Sequence, residues 1–121
     1  MTIKVLAIDD SRTIRSLMDA TLKGAGFESC LAEDGVDGLE KMEAFDPDVI
    51  ITDLNMPNMD GFGVIDGVRN HPVHGQKPVL VLTTESAPAL KARARDAGAT
   101  GWIVKPFDRD RLVSALKRVA G

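Results

Sequence analysis

Apolar residues in this chain fall into two alternating rhythms. Four short runs, at 5–8, 49–52, 79–82 and 102–104, are nearly continuous, rich in β-branched residues and too short for helices. They predict buried strands. Between them the apolar positions take helical spacing: Ile14, Leu17, Met18 and Leu22, then Val64, Ile65 and Val68, and finally Leu112, Val113, Leu116 and Val119. A weaker strand is expected at 27–32, with Glu33-Asp34-Gly35 leading from it into a helix bearing Val36 and Leu39. The stretch 87–97 has helical alanines and charges but few large apolar anchors, so marginal packing and mobility are expected there. Five strands alternating with five helices predict an α/β fold of βαβ units around a parallel sheet.

The helix ends carry their own signals. Ser11 can cap the first helix and Gly24 or Gly26 can follow it. Asp108 precedes the last helix, whose final turn sets Lys117 and Arg118 against the helix dipole. Pro47, Pro57, Pro72, Pro78 and Pro106 all fall at the predicted junctions, where a missing amide donor does least harm.

Polar residues of one chemical kind stand where the strands end: Asp9 and Asp10 after the first run, Asp53 after 49–52, Thr83 after 79–82 and Lys105 after 102–104. In an open parallel sheet the ligand site lies beyond the carboxyl ends of the strands, so these residues converge despite their separation in sequence. Asp9 and Asp10 taken alone could equally cap the next helix. Three carboxylates brought together repel one another unless a cation is present, and a hard divalent ion such as Mg²⁺ takes such oxygen ligands. Lys105 supplies a point charge and Thr83 a hydroxyl, each able to bond an oxygen of a group attached to Asp53. Phosphoryl transfer asks for little more than such positioning and charge neutralisation.

Composition narrows the classes. A chain of 121 residues predicts one domain with a substantial core. Its formal net charge of −3 gives no overall basicity to favour nucleic acid. No apolar stretch approaches a membrane span and none at the start reads as a signal peptide, so a cytoplasmic protein is expected. The single Cys30 cannot form an internal disulfide and reads as a packing residue. His71 and His74 sit in a loop without acidic or cysteine partners nearby in sequence, and read as solvated rather than as a metal pair.

The segments Ile8-Asp9-Asp10-Ser11, Thr52-Asp53-Leu54-Asn55-Met56-Pro57-Asn58-Met59-Asp60-Gly61 and Val104-Lys105-Pro106-Phe107 resemble the receiver domains of two-component response regulators. The resemblance spans the whole chain and is closest to single-domain chemotaxis regulators of the CheY type. It implies a doubly wound, flavodoxin-like sheet of strand order 2-1-3-4-5 flanked by five helices, for which CheY is a standard example. It also implies a receiver domain over 1–121 with no output domain.

By position, the resemblance implies that Asp53 is the phosphoacceptor. Asp10 would be a direct Mg²⁺ ligand, Asp9 would hold the ion chiefly through water, and the carbonyl of Asn55 would be a further ligand. Thr83 and Lys105 would bond the phosphoryl group, Asn55 and Glu85 would tune autodephosphorylation, and the Lys105-Pro106 peptide would be cis. The aromatic switch position, commonly Tyr or Phe, is Trp102, which alternation sets on the opposite strand face from Lys105. Simple packing on the sheet is the other reading of that indole.

The implied output surface is the fourth helix, fifth strand and fifth helix, carrying Lys91, Arg95, Trp102, Arg109 and Arg111. The implied partners are a histidine kinase and an effector such as a flagellar motor switch, or no effector if the protein is a phosphate sink for a shared kinase. The domain would catalyse its own phosphorylation and dephosphorylation without turning over a substrate. An aspartyl-phosphate phosphohydrolase of the haloacid dehalogenase type is the alternative from another class, but its second aspartate is replaced here by Asn55. A dinucleotide-binding module would need a third glycine where Asp66 stands.

Overall fold

The computed structural model describes residues 2–120. Five strands, β1 (Lys4–Ile8), β2 (Glu28–Ala32), β3 (Val49–Thr52), β4 (Val79–Thr83) and β5 (Gly101–Val104), alternate with five helices. These are α1 (Arg12–Gly24), α2 (Gly35–Phe45), α3 (Gly61–Arg69), α4 (Pro88–Ala97) and α5 (Arg109–Ala120). The strands form one parallel sheet in the order β2-β1-β3-β4-β5. This is the doubly wound arrangement expected from the sequence.

Burial of the sheet on both faces explains why its central strands lack polar alternation. Leu6, Ile8, Ile50, Val79 and Val81 pack towards Met42, Phe62, Val64, Ile65 and Val68 on one side. Val5, Ala7, Val49, Ile51, Leu80 and Leu82 pack towards Met18, Leu22, Leu112 and Leu116 on the other. The expected strand at 102–104 is not fully buried. β5 is an edge strand whose residues are half-buried, with Val104 exposed. Leu17 and Val36 are exposed as well, because each lies outside the helical stripe that reaches the sheet.

Four helices begin on an acceptor side chain. Ser11, Asp34 and Asp60 accept from the amides of Ile14, Asp37 and Gly63 respectively. Asp108 accepts from Arg111 N in the first turn of α5. After α1 it is Gly26 that takes the left-handed backbone, with φ +87°, while Gly24 remains inside the helix. α4 starts on Ala87 with no side-chain cap, and Ala94 is its one buried residue. Leu90 and Ala97 pack partly against the core, and the Arg93 guanidinium lies 3.9 Å from the centroid of the Phe62 ring. The scarcity of anchors read from the sequence is therefore a property of the packed helix.

Its other end is tied more firmly. Arg69, the last residue of α3, donates from Nε and Nη2 to Gly98 O at 3.0 and 2.6 Å, and from Nη1 to Lys77 O at 2.6 Å and Gly75 O at 3.1 Å. A cation thus sits on the carbonyl of Gly98, the C-cap of α4, and closes the loop before β4. Gly98 has φ +109°, and a Cβ there would press on the Arg69 side chain.

Candidate functional site

β1 and β3 are the neighbours from which the sheet is wound in opposite directions, and Asp9 and Asp53 follow them directly. Asp9 N donates to Ala32 O and Asp53 N donates to Ile8 O, both at 3.0 Å, so each aspartate continues its strand's ladder by one residue. Their side chains are buried and divided in function. Asp9 Oδ1 accepts from Ser11 N at 2.9 Å, and Asp53 Oδ1 accepts from Leu54 N at 2.7 Å. The second oxygen of each goes to one cation: Lys105 Nζ lies 2.6 Å from Asp9 Oδ2 and 2.9 Å from Asp53 Oδ2.

Asp10 is exposed at the mouth, yet Asp9, Asp10 and Asp53 each offer a carboxylate oxygen within 4.8 Å of the others. Burial pushes the Asp9 carboxyl above its ordinary range, against the opposing pull of its bonds with Lys105 and Ser11 N. Burial alone would lower Lys105, but its bonds to Asp9 and Asp53 outweigh that and hold the ammonium above its usual value. Three carboxylates stand against one ammonium. A hard, all-oxygen donor set with an uncompensated negative charge fits a small divalent cation such as Mg²⁺.

Thr83 ends β4 fully buried, and its Oγ1 accepts from Glu85 N at 3.4 Å. Lys105 N donates to Thr83 O at 2.7 Å, and the Lys105-Pro106 peptide is cis. Asn55 Nδ2 donates to Glu85 Oε1 at 3.1 Å, bridging the loops after β3 and β4. Trp102 Nε1 donates to the Glu85 carbonyl, also at 3.1 Å, while the indole packs on the core beneath α4. Trp102 and Lys105 are directed apart, as alternation predicts.

Sequence reading overlooked two supports. Arg15 Nη1 donates to Asp9 O at 2.8 Å, holding the turn between β1 and α1. Asn58 Nδ2 donates to Asp34 Oδ2 at 2.8 Å, joining the loop after β3 to the start of α2. Asn58 lies in the left-handed region with φ +67°, and an asparagine within Pro-Asn-Met-Asp-Gly was the available signal.

The expectation of solvated histidines without acidic partners does not hold. His74 is 4% exposed, and His71 bonds Glu43 of α2 through Nε2. The tertiary structure brings Glu43, His71 and His74 together across a distance in sequence that local reading does not bridge. His71 Nδ1 accepts from the amides of Val73 and His74 at 3.0 and 3.1 Å, which leaves Nε2 to donate to Glu43. With that tautomer His71 ties α2 to the loop before β4.

An open sheet with acids, a hydroxyl and a lysine gathered where its winding reverses defines a doubly wound α/β domain with its ligand site at the switch point. Residues 5–117 match the response regulator receiver domain, and the chain belongs to that family. It is 40% identical over 120 residues to chemotaxis protein CheY1 of Helicobacter pylori, covering 98% of this chain and 97% of the relative. Among solved structures, chemotaxis protein CheY4 of Vibrio cholerae is 44% identical with a TM-score of 0.93, covering 98% of this chain and 99% of that one. The receiver domain of the sensor histidine kinase PA1611 of Pseudomonas aeruginosa PAO1 was solved with a magnesium ion coordinated in its active site cleft. It shares the fold at a TM-score of 0.91 and 24% identity, covering 100% of this chain and 99% of its own.

Proposed function

We propose that this receiver domain serves chemotaxis signalling in the cytoplasm by accepting a phosphoryl group on Asp53 from a histidine kinase, with Mg²⁺, and then engaging an effector such as a flagellar motor switch. The receiver unit would be the whole of 1–121. The observation that carries the reading is Lys105 Nζ, placed between the free oxygens of Asp9 and Asp53. A fixed cation beside a buried carboxylate is what a phosphoryl group arriving on that carboxylate requires. The chemotaxis assignment draws on the two CheY relatives.

In the proposed reaction an Asp53 oxygen bonds to phosphorus while the bond from phosphorus to the kinase histidine nitrogen breaks, and the electron pair leaves with that nitrogen. Asp10, Asp53 and the Asn55 carbonyl would hold Mg²⁺ directly and Asp9 chiefly through water, and the ion would offset the charge of the carboxylates and of the phosphoryl oxygens. Lys105 bonds one of those oxygens, and Thr83 gives up its long contact with Glu85 N to bond another. Asn55 and Glu85, joined across the mouth, set the access of water and hence the lifetime of the acyl phosphate.

Output would pass through α4, β5 and α5. Lys91, Arg95 and Trp102 line one groove of about 230 Å³ between α4 and β5, while Arg111 lines another with Trp102 on the α5 side. A basic rim around an aromatic suits an acidic, partly apolar partner segment. The class of function is thus population shift of a binding surface.

The first experiment is incubation with acetyl phosphate and Mg²⁺, acid quench and intact-mass measurement, beside Asp53→Asn and a metal-free sample. Addition of one phosphoryl group that both controls lose is expected. Addition that survives Asp53→Asn would remove Asp53 from its proposed role.

A further inference from the structure

We propose that the Asp34–Asn58 hydrogen bond sets the β3–α3 loop for Mg²⁺, making Asn58 a positioning residue for the metal although its side chain is directed away towards α2. The inference rests on the reading that the Asn55 carbonyl is one of the ion's ligands.

The loop, residues 53–60, is closed at its base where Gly61 N donates to Leu54 O at 2.8 Å. At its far end Asn55, Pro57 and Asn58 are exposed, while Met56 and Met59 pack partly against the core and Asn55 Nδ2 donates to Glu85 Oε1. On the side of Asn58 a polar tie comes from the turn before α2. Asn58 Nδ2 donates to Asp34 Oδ2 at 2.8 Å, and Gly35 N donates to Met59 O at 3.3 Å. Asp34 is 7% exposed, and its other oxygen accepts from Asp37 N at 2.8 Å to cap α2. One carboxylate therefore fixes a helix start with one oxygen and the loop tip with the other.

The residue types suit the task. At φ +67° Asn58 is in a region that asparagine enters more readily than most residues, and its amide still reaches a carboxylate. Glycine would take the backbone but give up the bond to Asp34. Mg²⁺ accepts little departure from octahedral geometry, so a carbonyl ligand on an exposed loop is useful only if the loop is held from outside. Asp34 also carries the tether to the β1–β2 half of the sheet, where Asp9 and Asp10 stand. The two groups of proposed ligands are thereby fixed relative to each other.

The test uses the intact chain and Mg²⁺ alone. Calorimetric titration gives the Mg²⁺ dissociation constant for the unaltered protein, Asn58→Gly, Asp34→Ser and the exchange Asp34→Asn with Asn58→Asp. Asn58→Gly keeps the left-handed backbone and deletes the amide, and Asp34→Ser keeps a cap for α2 but is too short to reach Asn58. Each is expected to weaken Mg²⁺ binding on the order of tenfold, as loss of a group that orients a metal ligand does. The exchange rebuilds the bond in reverse and is expected to restore affinity. At saturating Mg²⁺ the phosphorylation rate of Asn58→Gly should match the unaltered protein, a separation that general loosening of the fold would not produce. Unchanged affinity in Asn58→Gly, or no recovery in a folded exchange variant, overturns the inference. An unaltered protein that binds no Mg²⁺ overturns the underlying reading of the site instead.

Discussion

The indole Nε1 of Trp102 donates to the backbone carbonyl of Glu85 at 3.1 Å, while the Glu85 side chain accepts from Asn55 at the mouth of the acidic cleft. The surface of β5 and the rim of the site thus meet in one residue. Any movement that draws Thr83 away from Glu85 N acts on the same short segment.

That arrangement predicts an optical signal. Trp102 is the sole tryptophan of the chain, so emission reports on it alone. Mg²⁺ with beryllofluoride, an analogue of the phosphoryl group, is expected to change its intensity or wavelength. An unchanged spectrum, with occupancy confirmed independently, would leave Trp102 as a packing residue.

Lys105 is expected to couple the site to the partner rather than to hold the metal. Lys105→Ala should still bind Mg²⁺ but break the link between phosphorylation of Asp53 and partner binding. Partner affinity measured on phosphorylated Lys105→Ala decides the matter, and a normal value would remove that role.

The raised Asp9 carboxyl gives a pH dependence whose sign is fixed. A carboxyl with a higher value folded than unfolded contributes its stability below the unfolded value and loses it as pH rises through the folded one. Metal-free protein should therefore gain stability on acidification from neutrality through the Asp9 range. At lower pH the trend reverses, because the carboxyls of Asp19, Asp34 and Asp46 are held low by bonds from Ser29, the Asp37 amide and Lys77 respectively, and protonating them costs stability. Raised Lys105 adds no slope there, since its contribution is lost only in alkali. Urea midpoints across pH in a chelator should lose the higher-pH phase in Asp9→Asn and keep the lower one.

Gly61 is predicted to tolerate no side chain. A Cβ there would strike the carbonyl oxygen of Asp53 and the backbone of Leu54. Gly61→Ala is expected to cost about 2–3 kcal/mol by overpacking and to slow phosphorylation by displacing Asp53. Chemical denaturation beside the acetyl phosphate assay would separate the two effects, and an unchanged rate would argue that α3 moves instead of Asp53.

Arg69→Met should free the C-terminal end of α4 and leave the carbonyls of Gly98, Gly75 and Lys77 without their donor. A loss of about 2 kcal/mol is expected from bonds to a charged group, with faster amide exchange at the end of α4 than elsewhere. Uniform exchange across the chain would mean that the clamp serves the whole fold.

Much of this architecture was legible because it depends on local properties. Short β-branched runs, helical spacing, the cap at Ser11 and the prolines at junctions placed all ten elements, and polar residues at strand ends marked one edge of the sheet. The receiver motifs added the strand order. The two edge strands read differently: 27–32 was already the weaker run, with Glu28 and Ser29 in it, whereas 102–104 is apolar like the central strands and only its place in the sheet leaves it partly open.

What the sequence by itself determined is the set of elements and the chemistry at their ends, since both follow from backbone preference and residue type. The tertiary structure alone decided which side chains share an atom. Lys105 divides itself between Asp9 and Asp53, His74 is buried beside a His71 that bonds Glu43, Asn58 reaches Asp34, and Arg69 closes over Gly98. Each of these pairs lies far apart along the chain or depends on what covers it. Burial and partnership are properties of packed neighbours, and no local pattern of residues contains them.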